Sequence, residues 1–158
     1  MSFECSPKRE ALSSERMDLR IKRLHHDAKL PAYKTSGSRG ADLCAVSAGV
    51  LLPSLRGAVA CGFALEIPEG YGVMILPRSG LAHDHGVSVI NSPGLIDSDY
   101  RGEIKVLLEN RGFAPFRWKA GERIAQMVLV ELPQARFVVV DELGETERGE
   151  GGLGSTGR

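Results

Sequence analysis

The chain has 158 residues, 42% hydrophobic and 25% charged, which fits one domain that builds its own core. Twenty basic and twenty acidic residues leave a formal net charge of zero, so the field that draws basic proteins onto nucleic acid is absent and no nucleic-acid partner is expected. The three cysteines, Cys5, Cys44 and Cys61, have neither zinc-ligand nor redox spacing and are odd in number. They read as reduced thiols in a cytoplasmic protein, not as a disulfide framework.

Residues 1–18 hold seven charged residues and no sustained apolar period, so they read as a mobile polar leader outside the fold. No run there is apolar enough for a signal peptide and none later approaches a membrane span, so no membrane partner is expected. From Ile21 the pattern changes to short apolar or alternating runs: Gly49–Leu52, Ala58–Ile67, Tyr71–Leu76, Ser88–Ile90, Glu103–Leu108, Ile124–Leu132 and Ala135–Val140. Each has strand length, and clusters such as Pro68-Glu69-Gly70, Asn91-Ser92-Pro93-Gly94 and Lys119-Ala120-Gly121 punctuate them. That rhythm predicts an all-β sandwich or barrel. The exception is Ser79-Gly80-Leu81-Ala82-His83, where a serine able to cap precedes a short helix whose free N–H groups would attract an anion. The body is expected over 19–143. A glycine-rich flexible arm follows over 144–158, where five glycines in the last ten residues leave no apolar face to hold it in a core.

Four segments carry chemistry. Gly94-Leu95-Ile96-Asp97-Ser98-Asp99-Tyr100-Arg101-Gly102 reads as a hairpin with Ser98 at its tip, so that Gly94 faces Gly102 and Asn91 faces Lys105. Its backbone could read a flat heterocycle, and the Asn91 amide offers a donor and an acceptor that match a uracil edge. Taken alone, Asp97-Ser98-Asp99 reads equally as turn chemistry. In Pro77-Arg78-Ser79-Gly80, a guanidinium, a hydroxyl and a glycine that admits close backbone approach suit a phosphate chain, the plain alternative being an exposed arginine beside a capped turn. Gln126 has the parity of Ile124 and Val128 in an alternating run, so it is expected to face inward and either bond the sheet or reach a ligand. The tail from Arg148 to Gly157 resembles a phosphate-binding Walker loop only superficially, because its lysine and following helix are missing. His83 and His85 around Asp84 have no further His or Cys nearby to complete a metal site, and His25 with His26 is a weaker candidate still.

Taken in order, these four segments and an earlier one, Gly40-Ala41-Asp42-Leu43, resemble the five motifs of the trimeric, all-β deoxyuridine triphosphatases across about residues 21–157. Gly40-Ala41-Asp42-Leu43 resembles the first, Arg78 to Ala82 the second, Gly94 to Ile104 the third, Gly121 to Gln126 the fourth and the tail from Arg148 the fifth. Each is weak alone, and five in sequence are specific. The resemblance implies a jelly-roll-like β-barrel in a homotrimer, with active sites at subunit borders and the arm closing over a neighbour's site. It implies hydrolysis of dUTP to dUMP and pyrophosphate, lowering dUTP and supplying dUMP for thymidylate synthesis.

The resemblance also assigns roles. Asp97 would be the general base for water, and Tyr100 would pack on the deoxyribose and exclude a 2′-hydroxyl. Asn91, the backbone from Leu95 through Ile96 to Asp97, and main chain near Lys105 would read uracil. Arg78, Ser79, Gly80, Gln126, Arg148, Gly154, Ser155 and Thr156 would serve the phosphates, with Asp42 supporting the site from behind. Magnesium would ride mainly on phosphate oxygens and waters, without a protein ligand set. Leu153 departs from the family, whose arms usually place an aromatic ring over the base, and this predicts weaker closure by about 1 kcal/mol. A deaminase of dCTP on the same fold would need a glutamate at the cytosine ring. A nucleotide-sensing relative with weak catalysis would have only Leu153 as its support.

Overall fold

The computed structural model describes residues 17–152. In chain order its elements are β1 Arg20–Arg23, β2 Ala32–Tyr33, β3 Ala41–Cys44, β4 Gly49–Leu51, β5 Arg56–Ala60, β6 Phe63–Glu66 and β7 Tyr71–Leu76, followed by α1 Ser79–His85. After the helix come β8 Val87–Val89, β9 Gly94–Ile96, β10 Lys105–Asn110, β11 Phe116–Trp118 and β12 Arg123–Glu131. The all-β expectation with one short helix after the second motif holds. Residues 1–16 of the expected leader, and residues 153–158 of the expected arm, lie outside the described residues.

The strands form antiparallel sheets in the orders β2-β3-β12-β7-β9, β5-β10-β8, β1-β6 and β11-β4. These wrap one apolar core in the jelly-roll-like manner expected. Alternation explains which faces point inward: along β7, Val73 and Ile75 are buried while Met74 and Leu76 are only half-buried. With Phe63, Leu43, Ile104, Val106 and Leu108 they fill the centre. Asn110 is the fully buried polar residue of that core. Its amide donates to the carbonyls of Leu51 and Ala114, both at 2.9 Å, and its oxygen accepts from Gly112 N–H, so its burial leaves no orphaned group.

The structure corrects several expectations. The run Ala58–Ile67 is two strands, because Gly62 at φ +78° turns the chain between β5 and β6. β1, β2, β3 and β11 are two to four residues long, too short for periodicity to reveal. Ala135–Val140 is not a strand. Among the described residues no strand pairs with it, and Phe137 and Val139 stand 94% and 99% exposed. Ser79 is not the cap of α1: Arg78 holds the N-cap position in extended backbone, no side chain caps the helix, and Ser79 lies in its first turn.

The parity of Gln126 is also corrected. The pairing of β12 with β3 shifts between Arg123 and Ala125, and this bulge puts Ile124 and Ala125 both inside. From there Ala125 and Met127 face the core, and Gln126 shares the opposite, half-buried face with Val128.

Candidate active site

The two arms expected to form a hairpin do not pair with each other. β9 joins β7, with Gly94 opposite Ile75 and Leu95 opposite Met74. β10 joins β5, with Lys105 opposite Ala60. The register centred on Ser98 is therefore not formed, because the two arms join different sheets. A turn still connects them: Tyr100 N–H donates to the Asp97 carbonyl at 3.2 Å, and the Arg101 guanidinium donates to the Ser98 carbonyl.

Splaying the arms opens a cavity of about 250 Å³ between the sheets. Asn91, Leu95, Ile96, Asp97, Tyr100 and Lys105 line it, together with Glu103, so six expected base, sugar and catalytic residues are brought together. A Cβ at Gly94 would sit 2.9 Å from the Asn91 amide nitrogen, so glycine there lets the amide lie on the backbone. Tyr100 donates its hydroxyl to the Glu103 carbonyl at 3.1 Å, and its ring occupies the space a side chain at Gly102 would need. A second cleft, of about 890 Å³, lies beyond the turn and is lined by Asp97, Ser98, Asp99 and Arg101, with Leu132 and Pro133. Asp97 borders both clefts, whereas Asp99 lines only the second of these two. The two aspartates thus diverge at the turn.

A separate cluster forms where β3, β12 and the start of α1 meet. Asp42 bridges two cations, with Oδ1 3.5 Å from Arg78 Nε and Oδ2 3.0 Å from Arg123 Nη1. Arg78 also donates to the Arg123 carbonyl at 2.9 Å. The Asp42 carboxylate holds the Arg123 guanidinium above its ordinary pKa, chiefly through their hydrogen bond. Gln126 donates to the Pro77 carbonyl at 3.1 Å, and its amide oxygen lies against Gly40, where a Cβ would overlap it. Arg78, Ser79, Gly80 and Gln126 do not line the 250 Å³ cavity. Neither does Arg148, whose Nε donates to the Gly151 carbonyl at 2.7 Å in an exposed turn. Leu153, Gly154, Ser155 and Thr156 lie outside the described residues.

Sequence reasoning passed over Arg123 and Glu103. Arg123 becomes visible only through the pairing of β12 with β3, which sets it beside Asp42 across 81 positions of sequence. Glu103 directs Oε1 to the Gly62 N–H at 3.0 Å, a partner equally remote. Among the described residues, one group of three side chains could jointly face a metal: His25, His26 and Asp27, all exposed. His83 instead bonds Asp84 at 2.7 Å, lowering the carboxyl's pKa, and His85 packs on Phe116.

A pocket with a carboxylate at its edge, and an arginine–glutamine cluster on the same β frame, suit a nucleotide hydrolase of all-β type. Residues 26–157 match the sequence profile of the dUTPase family, and the chain belongs to that family. The deoxyuridine 5′-triphosphate nucleotidohydrolase of Nautilia profundicola is 51% identical over 142 residues, covering 90% of this chain and all of the relative. That of Wolinella succinogenes is 49% identical over 144 residues, 91% of this chain and 97% of the relative. Among solved structures, the Staphylococcus bacteriophage 80alpha dUTPase with dUpNHpp has a TM-score of 0.83 at 26% identity, covering 89% of this chain and 99% of that one. A phage phi11 dUTPase mutant, described with a coordinated structural Mg(II) ion, matches with a TM-score of 0.75 at 20% identity, over 80% of this chain and 98% of that one.

Proposed function

We propose that this protein hydrolyses dUTP to dUMP and pyrophosphate, lowering dUTP and supplying dUMP for thymidylate synthesis. Membership of the dUTPase family across residues 26–157 carries this reading. The cavity bordered by Asp97 gives it a place to happen. Pyrophosphate release from dUTP, compared with dCTP, dTTP and UTP, tests it; equal turnover of all four would refute it.

In the mechanism we propose, uracil enters between the splayed arms and is read by the Leu95–Asp97 backbone, the Asn91 amide and main chain near Lys105. Tyr100 lies along the deoxyribose and leaves no room for a 2′-hydroxyl. Asp97 takes a proton from the water that attacks the α-phosphorus, and the bond to the departing pyrophosphate breaks. Arg78, Ser79, Gly80 and Gln126 hold the phosphates, joined by Arg148, Gly154, Ser155 and Thr156 when the arm closes, with Leu153 covering the base. Asp42 works from behind, fixing the arginine pair.

The donors here fit a magnesium ion carried by the substrate. Asp42 is committed to two arginines, and of the two carboxylates lining the pocket Glu103 accepts a backbone N–H, so Asp97 is the one there that could meet the ion's water shell. When bound, magnesium would neutralise phosphate charge as pyrophosphate departs. Glu103 is also the glutamate that a dCTP deaminase reading would need, but its turn toward Gly62 favours an anchoring role over a proton shuttle.

Three features support a homotrimer with shared sites. The base pocket and the phosphate cluster occupy separate places on one chain, Arg148 is remote from the lining of the pocket, and the apolar residues Phe137 to Val140 and Leu143 stand exposed. A second copy could supply the missing half of each site and cover that segment. We place the barrel at 19–143 and the closing arm at 144–158. No helix among the described residues is long and apolar enough to cross a membrane, and the free buried thiols Cys44 and Cys61 support a cytoplasmic setting.

A further inference from the structure

The geometry points to Glu103 as a positioning residue that sets the discrimination between deoxyribose and ribose. It does so by tying the second arm of the pocket to a rigid point at Gly62. The inference rests on the reading of Tyr100 as the residue that meets the sugar.

The argument begins at Gly62. Its φ of +78° lies in the left-handed region, and a Cβ there would come within 2.8 Å of both Ala28 and Val46 side-chain carbons, so only glycine fits without displacement. Its carbonyl accepts from both Leu24 N–H, at 2.9 Å, and His25 N–H, at 3.1 Å. This peptide is therefore packed on one side and bonded on the other. Glu103 spans 41 positions of sequence to accept the Gly62 N–H at 3.0 Å, in a part-buried contact. Two backbone bonds flank it: Ile104 N–H to the Phe63 carbonyl at 2.9 Å and Cys61 N–H to the Ile104 carbonyl at 3.0 Å.

From that anchor the path to the sugar is short. The Glu103 carbonyl accepts the Tyr100 hydroxyl at 3.1 Å, and the Tyr100 ring lies over Gly102, where any side chain would collide with it. The hydroxyl end of the ring is thus held by the Glu103 carbonyl and packs against Gly102. A ring held this way rejects an extra hydroxyl by its fixed position, and loosening the anchor lets it yield. The carboxylate acts as an acceptor for a backbone N–H, so an amide oxygen in its place serves equally well.

The test is steady-state kinetics of the intact protein on dUTP and UTP for the wild type, Glu103→Ala and Glu103→Gln, with unfolding midpoints alongside. The alanine variant is expected to raise KM for dUTP and to reduce the dUTP-over-UTP ratio of kcat/KM, each about tenfold, with kcat for dUTP within about twofold. The glutamine variant is expected within about twofold of wild type in all three. Unchanged discrimination in a folded alanine variant would overturn the inference, as would a glutamine variant as impaired as alanine, which would signal a role for charge. A loss confined to kcat would also overturn it. Should alanine abolish folding, Glu103→Asp, which keeps the charge but falls short of Gly62, is read by the same criteria. Wild-type protein that hydrolyses dUTP and UTP alike would instead sink the reading of Tyr100, and the inference with it.

Discussion

In the mechanism we propose, Asp42 matters to the reaction through what it holds still. Its two oxygens face Arg78 and Arg123, and its own side chain is 19% exposed, although solvent screens the more exposed Arg123. Asp42→Asn keeps the shape and removes the charge, so it is expected to lower kcat/KM for dUTP about tenfold through KM, with Arg78 less ordered; steady-state kinetics check this. Gly40 makes the complementary point, because a methyl group there overlaps the Gln126 amide. Gly40→Ala is expected to cost about 1–3 kcal/mol in chemical denaturation and to weaken dUTP binding, because Gln126 must leave Pro77. Neither residue's partner is legible in the sequence, since proximity of Asp42 to Arg123 and of Gly40 to Gln126 depends on how β3 meets β12.

The element scale separates what local sequence determines from what pairing determines. Tyr71–Leu76 was legible as β7 because its alternation matches a half-buried strand, and a short helix was expected where α1 lies, though from a serine cap that the structure does not form. The hairpin register was not, because two arms with good turn chemistry chose β7 and β5 over each other. Six residues lining the pocket were nonetheless named from the sequence, chiefly through the family resemblance, whereas Glu103, which lines it too, was not. The break at Gly62 has a further consequence for Cys61, which is fully buried beside it. Burial, then Cys44 and Glu103, push its thiol up to about 12 from an ordinary value of 9.0. A raised folded value means the stabilisation is present below pH 9 and is lost as pH rises toward 12. Denaturation at pH 8 and pH 10 should show a loss of about 1.4 kcal/mol that the Cys61→Ala variant lacks.

On the scale of the whole molecule, the pocket and the arginine–glutamine cluster have different linings on one chain, and an apolar segment, Phe137 to Val140, stands exposed. Light scattering is expected to give about 51 kDa, three times the 17.0 kDa chain. A fully active monomer would break the shared-site account. The most direct test of the central claim is pyrophosphate release from dUTP with magnesium by the intact protein and by Asp97→Asn. The account predicts selective dUTP turnover that falls by about 10²–10⁴-fold in the variant while folding and dUTP binding persist. Undiminished turnover by Asp97→Asn, or a wild-type protein indifferent to the base, would contradict it.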